Sequence, residues 1–137
     1  MPIRFRISKK RRLITVIVEG KITVEDTVAY IDERQADADA SDLSQLVLVS
    51  DRAATLTPSE INDLAEVVND LCPANDNQCA IVSFTDVHFG QSRVYLSHRK
   101  NSSENLKVFR GIREALVWLG VDSNAAIVEF EMAIALS

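Results

Sequence analysis

The stretch Phe109-Arg-Gly-Ile-Arg-Glu-Ala-Leu-Val-Trp-Leu-Gly120 decides the fold class of this 137-residue chain. It reads as the end of a strand, a glycine turn and an amphipathic helix. Ile112, Ala115, Leu116 and Leu119 fall at i, i+3, i+4 and i+7 and so share one helical face. Gly120 stands where a C′ glycine would end that helix, because only a residue tolerant of positive φ fits there. Trp118, flanked by Leu116 and Leu119, is expected in the core.

Working back towards the N-terminus, the same strand–helix alternation recurs. Leu106 to Phe109 is a strand. Phe89 to Lys100 is weakly patterned but helical, with Val94, Tyr95 and Leu96 contiguous. Cys79-Ala-Ile-Val82 and Leu46-Val-Leu-Val49 are short continuous apolar runs, expected of strands buried on both faces. Between them, Thr57-Pro-Ser-Glu60 opens a helix with an N-cap threonine, proline at N1 and glutamate at N3. Its apolar face is Ile61, Leu64, Ala65, Val68 and Leu71. Thr23 caps an earlier helix, with Asp26 three residues on completing a capping box and Val24, Val28, Ile31 and Gln35 along one side. Ile3 to Ile7 and Leu13 to Val18 read as a hairpin, though without the Asn-Gly of a tight turn. The order β-β-α-β-α-β-α-β-α predicts an α/β fold: a mixed, mostly parallel five-stranded sheet with about four helices.

We divide the chain into an α/β domain over residues 1–120 and a C-terminal extension over 121–137. In the extension, Ala126, Val128, Phe130, Met132, Ile134 and Leu136 alternate, which favours a strand. Ile127, Phe130 and Ile134 also keep helical spacing, so a helix is the alternative. A free apolar strand needs a partner, either in the same domain or in a homodimer formed through residues 125–136.

Composition narrows the classes of function. The hydrophobic fraction of 47% suits a globular domain. A net charge of −5 argues against nucleic-acid binding, which needs a basic surface. Acidic residues concentrate over 19–76, and basic ones over 1–12 and 93–113. No apolar run is long enough for a transmembrane segment, and Leu13 to Val18 is too short for a signal peptide. Two cysteines, Cys72 and Cys79, give no disulfide scaffold and place the protein in the cytoplasm. The histidines and cysteines have no metal-ligand spacing, and no cofactor is implied.

Ligands of open α/β sheets collect beyond the carboxyl ends of the strands. The residues expected there are Asp86, His88 and Arg110, together with Gly90, Ser92 and Arg93 at the start of the third helix, where free N–H groups could hold an anion. The plainer reading is that Asp86 and Ser92 cap that helix and Arg93 is solvated. Catalysis by Asp86, His88 and Arg93 is a further alternative, but the i, i+2 spacing of Asp86 and His88 does not set them face to face. Cys79, at the start of a buried strand, is disfavoured as a nucleophile, and His98 belongs to a solvated helix face.

The chain resembles the SpoIIAA-like family, relatives of the STAS domains of anti-sigma-factor antagonists, over roughly residues 10 to 120. The resemblance rests on Val18-Glu-Gly20, on Leu46-Val-Leu-Val49 followed by Asp51-Arg52, on Ala80-Ile-Val-Ser83, and on Val108-Phe109 followed by Glu114-Ala-Leu-Val-Trp-Leu119. It implies a helix-covered sheet and a non-enzymatic regulatory or binding role, through a protein partner or a small anionic or lipidic ligand. A homo-oligomeric ligand-binding protein is the second expectation. STAS antagonists are phosphorylated near the turn after the third strand. The corresponding hydroxyls are Ser50, Thr55, Thr57 and Ser59, although Ser50 precedes Asp51 instead of following an aspartate.

Overall fold

A computed structural model of the chain describes residues 2–37, 43–72, 77–99 and 105–121. The elements are β1 (Ile3–Ser8), β2 (Leu13–Gly20), α1 (Val24–Ala36), β3 (Ser44–Ala53), α2 (Pro58–Leu71), β4 (Cys79–Ser83), α3 (Asp86–His98), β5 (Leu106–Phe109) and α4 (Ile112–Leu119). They form one sheet in the order β1-β2-β3-β4-β5. β1 runs antiparallel to β2, and the other neighbours are parallel. The predicted mixed, mostly parallel five-stranded sheet with four helices is therefore present. The expected tail strand and the pairing through residues 125–136 lie outside the described residues.

The strand order explains the layering. Three successive crossovers, β2-α1-β3, β3-α2-β4 and β4-α3-β5, advance in one direction across the sheet. Crossovers of one hand then put all three helices on the same face. The contacts agree: α1 packs on α2, and α2 on α3. α4 follows the last strand and covers the opposite face.

That opposite face is sealed. Leu46, Leu48, Ala80 and Val82 are 2%, 1%, 0% and 0% exposed, and with Leu13 they meet Ala115, Leu116 and Leu119 of α4. These three helix residues are the predicted stripe. The fourth, Ile112, is half-buried at its edge. Trp118 is half-buried as well: it packs on Phe109, with ring centroids 5.7 Å apart, and the Lys107 ammonium sits 5.5 Å from its ring centre. Gly120 ends α4 at φ 72°, with its N–H donating to the Leu116 and Val117 carbonyls.

Both predicted capping boxes form. The Thr23 side chain accepts from the Asp26 N–H, and the Asp26 carboxylate accepts from the Thr23 N–H. Thr57 and Glu60 do the same for α2, with Pro58 in its first turn. Three expectations need correction. α3 begins at Asp86, three residues earlier than Phe89, because the Thr85 hydroxyl caps it by accepting from the His88 N–H. Leu71, assigned to the apolar face of α2, is 39% exposed on its last turn. Gln35, at the end of α1, is exposed.

The expectation of complete burial on both faces fails for β3, and this correction matters most. Side chains of one strand alternate between faces. Those of β3 that point away from α4, Val47 and Val49, are only half-buried. The helix over them is α2, held between α1 and α3.

Candidate functional site

The space beneath α2 is a cavity of about 230 Å³. Its floor is the sheet face carrying Val47, Val49 and Ile81, and its roof is Ile61, Leu64 and Val68 of α2. Val47 stands at the centre of the floor, beside Val16 of β2 and Ile81 of β4. An engineered apolar cavity of roughly 150 Å³ stays dry and binds benzene. The space here is half as large again and similarly apolar over floor and roof.

The two ends of the cavity differ. At the carboxyl ends of the strands, hydrogen bonds tie α3 to the end of β3 and to the chain that follows it. His88 is buried, and its Nε2 lies 2.8 Å from the Ala53 carbonyl oxygen. A carbonyl only accepts, so Nε2 carries the proton, and with the ring in that tautomer Nδ1 accepts from the Thr85 hydroxyl at 2.9 Å. Gln91 donates to the Leu56 carbonyl (2.9 Å) and accepts from the Leu56 N–H (3.2 Å). Ser92 is buried and shares a 2.7 Å hydrogen bond with the buried Ser83.

The six residues expected to form a ligand site at this end therefore do not converge on one. His88 and Ser92 line the cavity, but their polar groups are engaged within the protein. Asp86 is exposed and pairs with Arg110 at 2.8 Å, and the Arg110 guanidinium lies 5.1 Å from the Phe89 ring centre. Gly90 and Arg93 are exposed within α3 instead of at its start, so their N–H groups belong to the helix and cannot cradle an anion. A Cβ on Gly90 would meet no described protein atom within 4 Å. Asp86, His88 and Arg93 each have different surroundings and make no acid–base constellation.

The candidate phosphorylation sites are equally scattered. The Ser50 hydroxyl, on β3, accepts from the Arg52 N–H (3.1 Å) and reaches Asp51 at 3.4 Å. Thr57 is committed to its capping box. Thr55 and Ser59 are exposed. Asp51 and Arg52, which follow the Leu46–Val49 run, are the last exposed residues of β3, and Arg52 pairs with Glu19 at 3.1 Å.

The other end of the cavity, at the amino ends of β3, β4 and β5, holds the residues that sequence reasoning missed. Gln45, Cys79 and Leu106 lie side by side there in register. Over them come the C-terminal turns of all three covering helices, bringing Tyr30 and Arg34 from α1, Cys72 from the end of α2, and Tyr95 and Arg99 from α3. All of these line the cavity. Each arginine lies over the tyrosine one turn before it: Arg34 is 5.6 Å from the Tyr30 ring centre, and Arg99 is 5.9 Å from that of Tyr95. This is the i, i+4 neighbour relation of a helix combined with cation–π attraction. The signal was present in the sequence as Tyr30-x-x-x-Arg34 and Tyr95-x-x-x-Arg99.

Hydrogen bonds fix this cluster. Tyr30 donates to the Gln45 side-chain oxygen at 2.8 Å. Arg34 Nη2 reaches Cys72 Sγ at 3.2 Å. Arg99 Nε donates to Asn69 at 2.8 Å, and its Nη1 to the Tyr95 hydroxyl at 3.2 Å. Burial pushes the Cys79 thiol up to about 11, against the opposing pull of Arg99 and Arg34, whose fields both reach it. Burial also raises Tyr30 and Tyr95 above the ordinary phenol value. At neutral pH these three groups carry no charge, so among the described lining residues at this end the formal charge is that of the two guanidinium groups. Both cysteines are free thiols.

Among the described residues, no group of three or more His, Cys, Asp or Glu side chains could hold a metal ion, and no helix is long and apolar enough to cross a membrane. Comparison with protein-family models finds no match, and comparison with curated proteins finds none either.

Proposed function

We propose that this chain is a non-catalytic binding module of the STAS-like kind its sequence resembles, and that it takes a small apolar molecule between the sheet and α1–α3. One observation carries the reading. Adjacent residues of the central strand differ in burial: Leu46 and Leu48 are sealed against α4, whereas Val47 and Val49 face open space under α2. A domain of this size can fill its interior on both faces, and native interiors leave few voids larger than a water molecule. Apolar surface left facing water is unfavourable in proportion to its area, and a ligand that covers it removes that cost. The regulatory role implied by the resemblance would then be exercised in the cytoplasm through occupancy of the cavity.

The test is titration with a neutral apolar fluorophore, 1-aminoanthracene, against the wild type and against Val47→Phe, which plugs the floor. Saturable binding with one site per chain, lost in the variant, is the expected result. Absence of saturable binding, or binding indifferent to Val47→Phe, would refute the proposal.

A further inference from the structure

We infer that the occupant carries a single anionic head, a carboxylate, which Arg34 and Arg99 hold at the amino ends of β3, β4 and β5 while its apolar body lies under α2. This rests on the reading of the cavity as a ligand site.

Four observations converge on it. First, both guanidinium groups line the same cavity, and each is tied by a hydrogen bond to the end of α2, Arg34 to Cys72 and Arg99 to Asn69. Second, among the described residues no carboxylate lies within ion-pair distance of either, whereas Arg4, Arg52 and Arg110 each have one. A half-buried guanidinium with no carboxylate partner among the described residues is one that an anionic ligand can pair. Third, each guanidinium is already oriented, by the ring beneath it and by hydrogen bonds to Cys72 or to Asn69 and Tyr95. It keeps N–H donors beyond those, and such pre-orientation lowers the entropic cost of binding. Fourth, the two guanidinium groups stand at one end of the cavity, apart from its apolar floor and roof. From Gln45 to Val49 the floor runs about 13 Å at the usual strand rise, from the arginine end to the apolar interior.

A guanidinium offers paired N–H donors that match the two oxygens of a carboxylate. The volume, about 230 Å³ against roughly 150 Å³ for a benzene site, sets the size of the body. An aromatic acid of one or two rings or a medium-chain alkyl acid meets these demands, and both present the same chemistry.

Displacement of 1-aminoanthracene by matched pairs tests the inference: decanoate against decanol, and 2-naphthoate against 2-naphthalenemethanol. In the wild type at least one acid should bind about tenfold more tightly than its alcohol, the scale of a charge-assisted hydrogen bond. The pair with the tighter acid identifies the alkyl or aryl source. In Arg34→Met/Arg99→Met the acid-to-alcohol ratio should fall to about one while alcohol affinity stays within about twofold. Equal affinity of acid and alcohol in the wild type would overturn the anionic head and leave the cavity reading standing. Failure of 1-aminoanthracene and both alcohols to bind would overturn both. The wild-type ratio requires no variant, so it decides the matter even if the double substitution does not fold.

Discussion

Replacing Val47 with phenylalanine should leave the protein as stable as the wild type or more so, whereas the same aromatic at Leu48 should destabilise it. The two residues are neighbours on β3 and point to opposite faces. Val47→Phe adds four carbons to a side chain that faces about 230 Å³ of open space. At ~0.8 kcal/mol per buried methylene, the added carbons contribute about 3 kcal/mol if all of them enter the void. The ceiling on such a gain, from ~24 cal/mol per Å³ of cavity, is about 5.5 kcal/mol. Lost rotamer freedom and imperfect fit subtract roughly 1–3 kcal/mol, so the net change lies between about 0 and +2 kcal/mol. Leu48 is 1% exposed and locked against α4. Overpacking there costs about 1–3 kcal/mol with no void to offset it. The variants should therefore differ by about 1–5 kcal/mol, or roughly 4–20 °C in Tm at about 4 °C per kcal/mol. Thermal and urea unfolding, followed by circular dichroism, read this directly. If Val47→Phe loses as much stability as Leu48→Phe, the space beneath α2 is not there and the proposed function goes with it.

Three further outcomes follow from other parts of the structure. Gly90→Ala should raise stability by about 0.5–1 kcal/mol, since the glycine is helical and a Cβ would meet nothing; a falling urea midpoint would contradict this placement. Because the folded chain holds the Cys79 proton to about pH 11 and an unfolded thiol releases it at about 8.5, the unfolded state binds fewer protons in between and stability falls as pH rises through that window. The wild type should thus lose more stability than Cys79→Ala between about pH 8 and about pH 10.5, with equal losses counting against this placement of the thiol. Arg110→Ala should cost less than about 1 kcal/mol, because its ion pair with Asp86 is exposed, and should leave 1-aminoanthracene binding unchanged; weakened binding would return the site to the carboxyl ends of the strands.

Local signals with a single physical cause were legible in the sequence. The Thr23/Asp26 and Thr57/Glu60 boxes, Pro58, Gly120 and the Ala115/Leu116/Leu119 stripe each express a preference that no other part of the fold opposes. α3 was harder. It touches α2 on one side and β4 and β5 below, so its buried positions include His88 and Ser92 and its apolar residues do not keep to one stripe. Gly90 then suggests a beginning where the helix is already under way, and the Thr85 cap goes unread.

The site was illegible for a different reason. Ile61, Leu64 and Val68 of α2, and Val47, Val49 and Ile81 of the sheet, have the residue types of any packed core. Whether they touch or face a void depends on how far α1 and α3 hold α2 above the strands, a distance that no residue type encodes. The rule that places ligands at the carboxyl ends of strands pointed to Asp86 and Arg110, which pair with each other on the surface. The Tyr30/Arg34 and Tyr95/Arg99 repeats were visible, but only the parallel sheet brings the ends of α1 and α3 to the same edge.

The most direct test of the account is a methyl NMR titration of the full chain with 1-aminoanthracene. Saturable shifts at the Val47, Val49 and Ile81 methyls, with Leu46 and Leu48 unmoved across the sheet, are the predicted result. Shifts confined to exposed residues such as Val87 and Val117, or no saturable shift at the three floor residues, would contradict it.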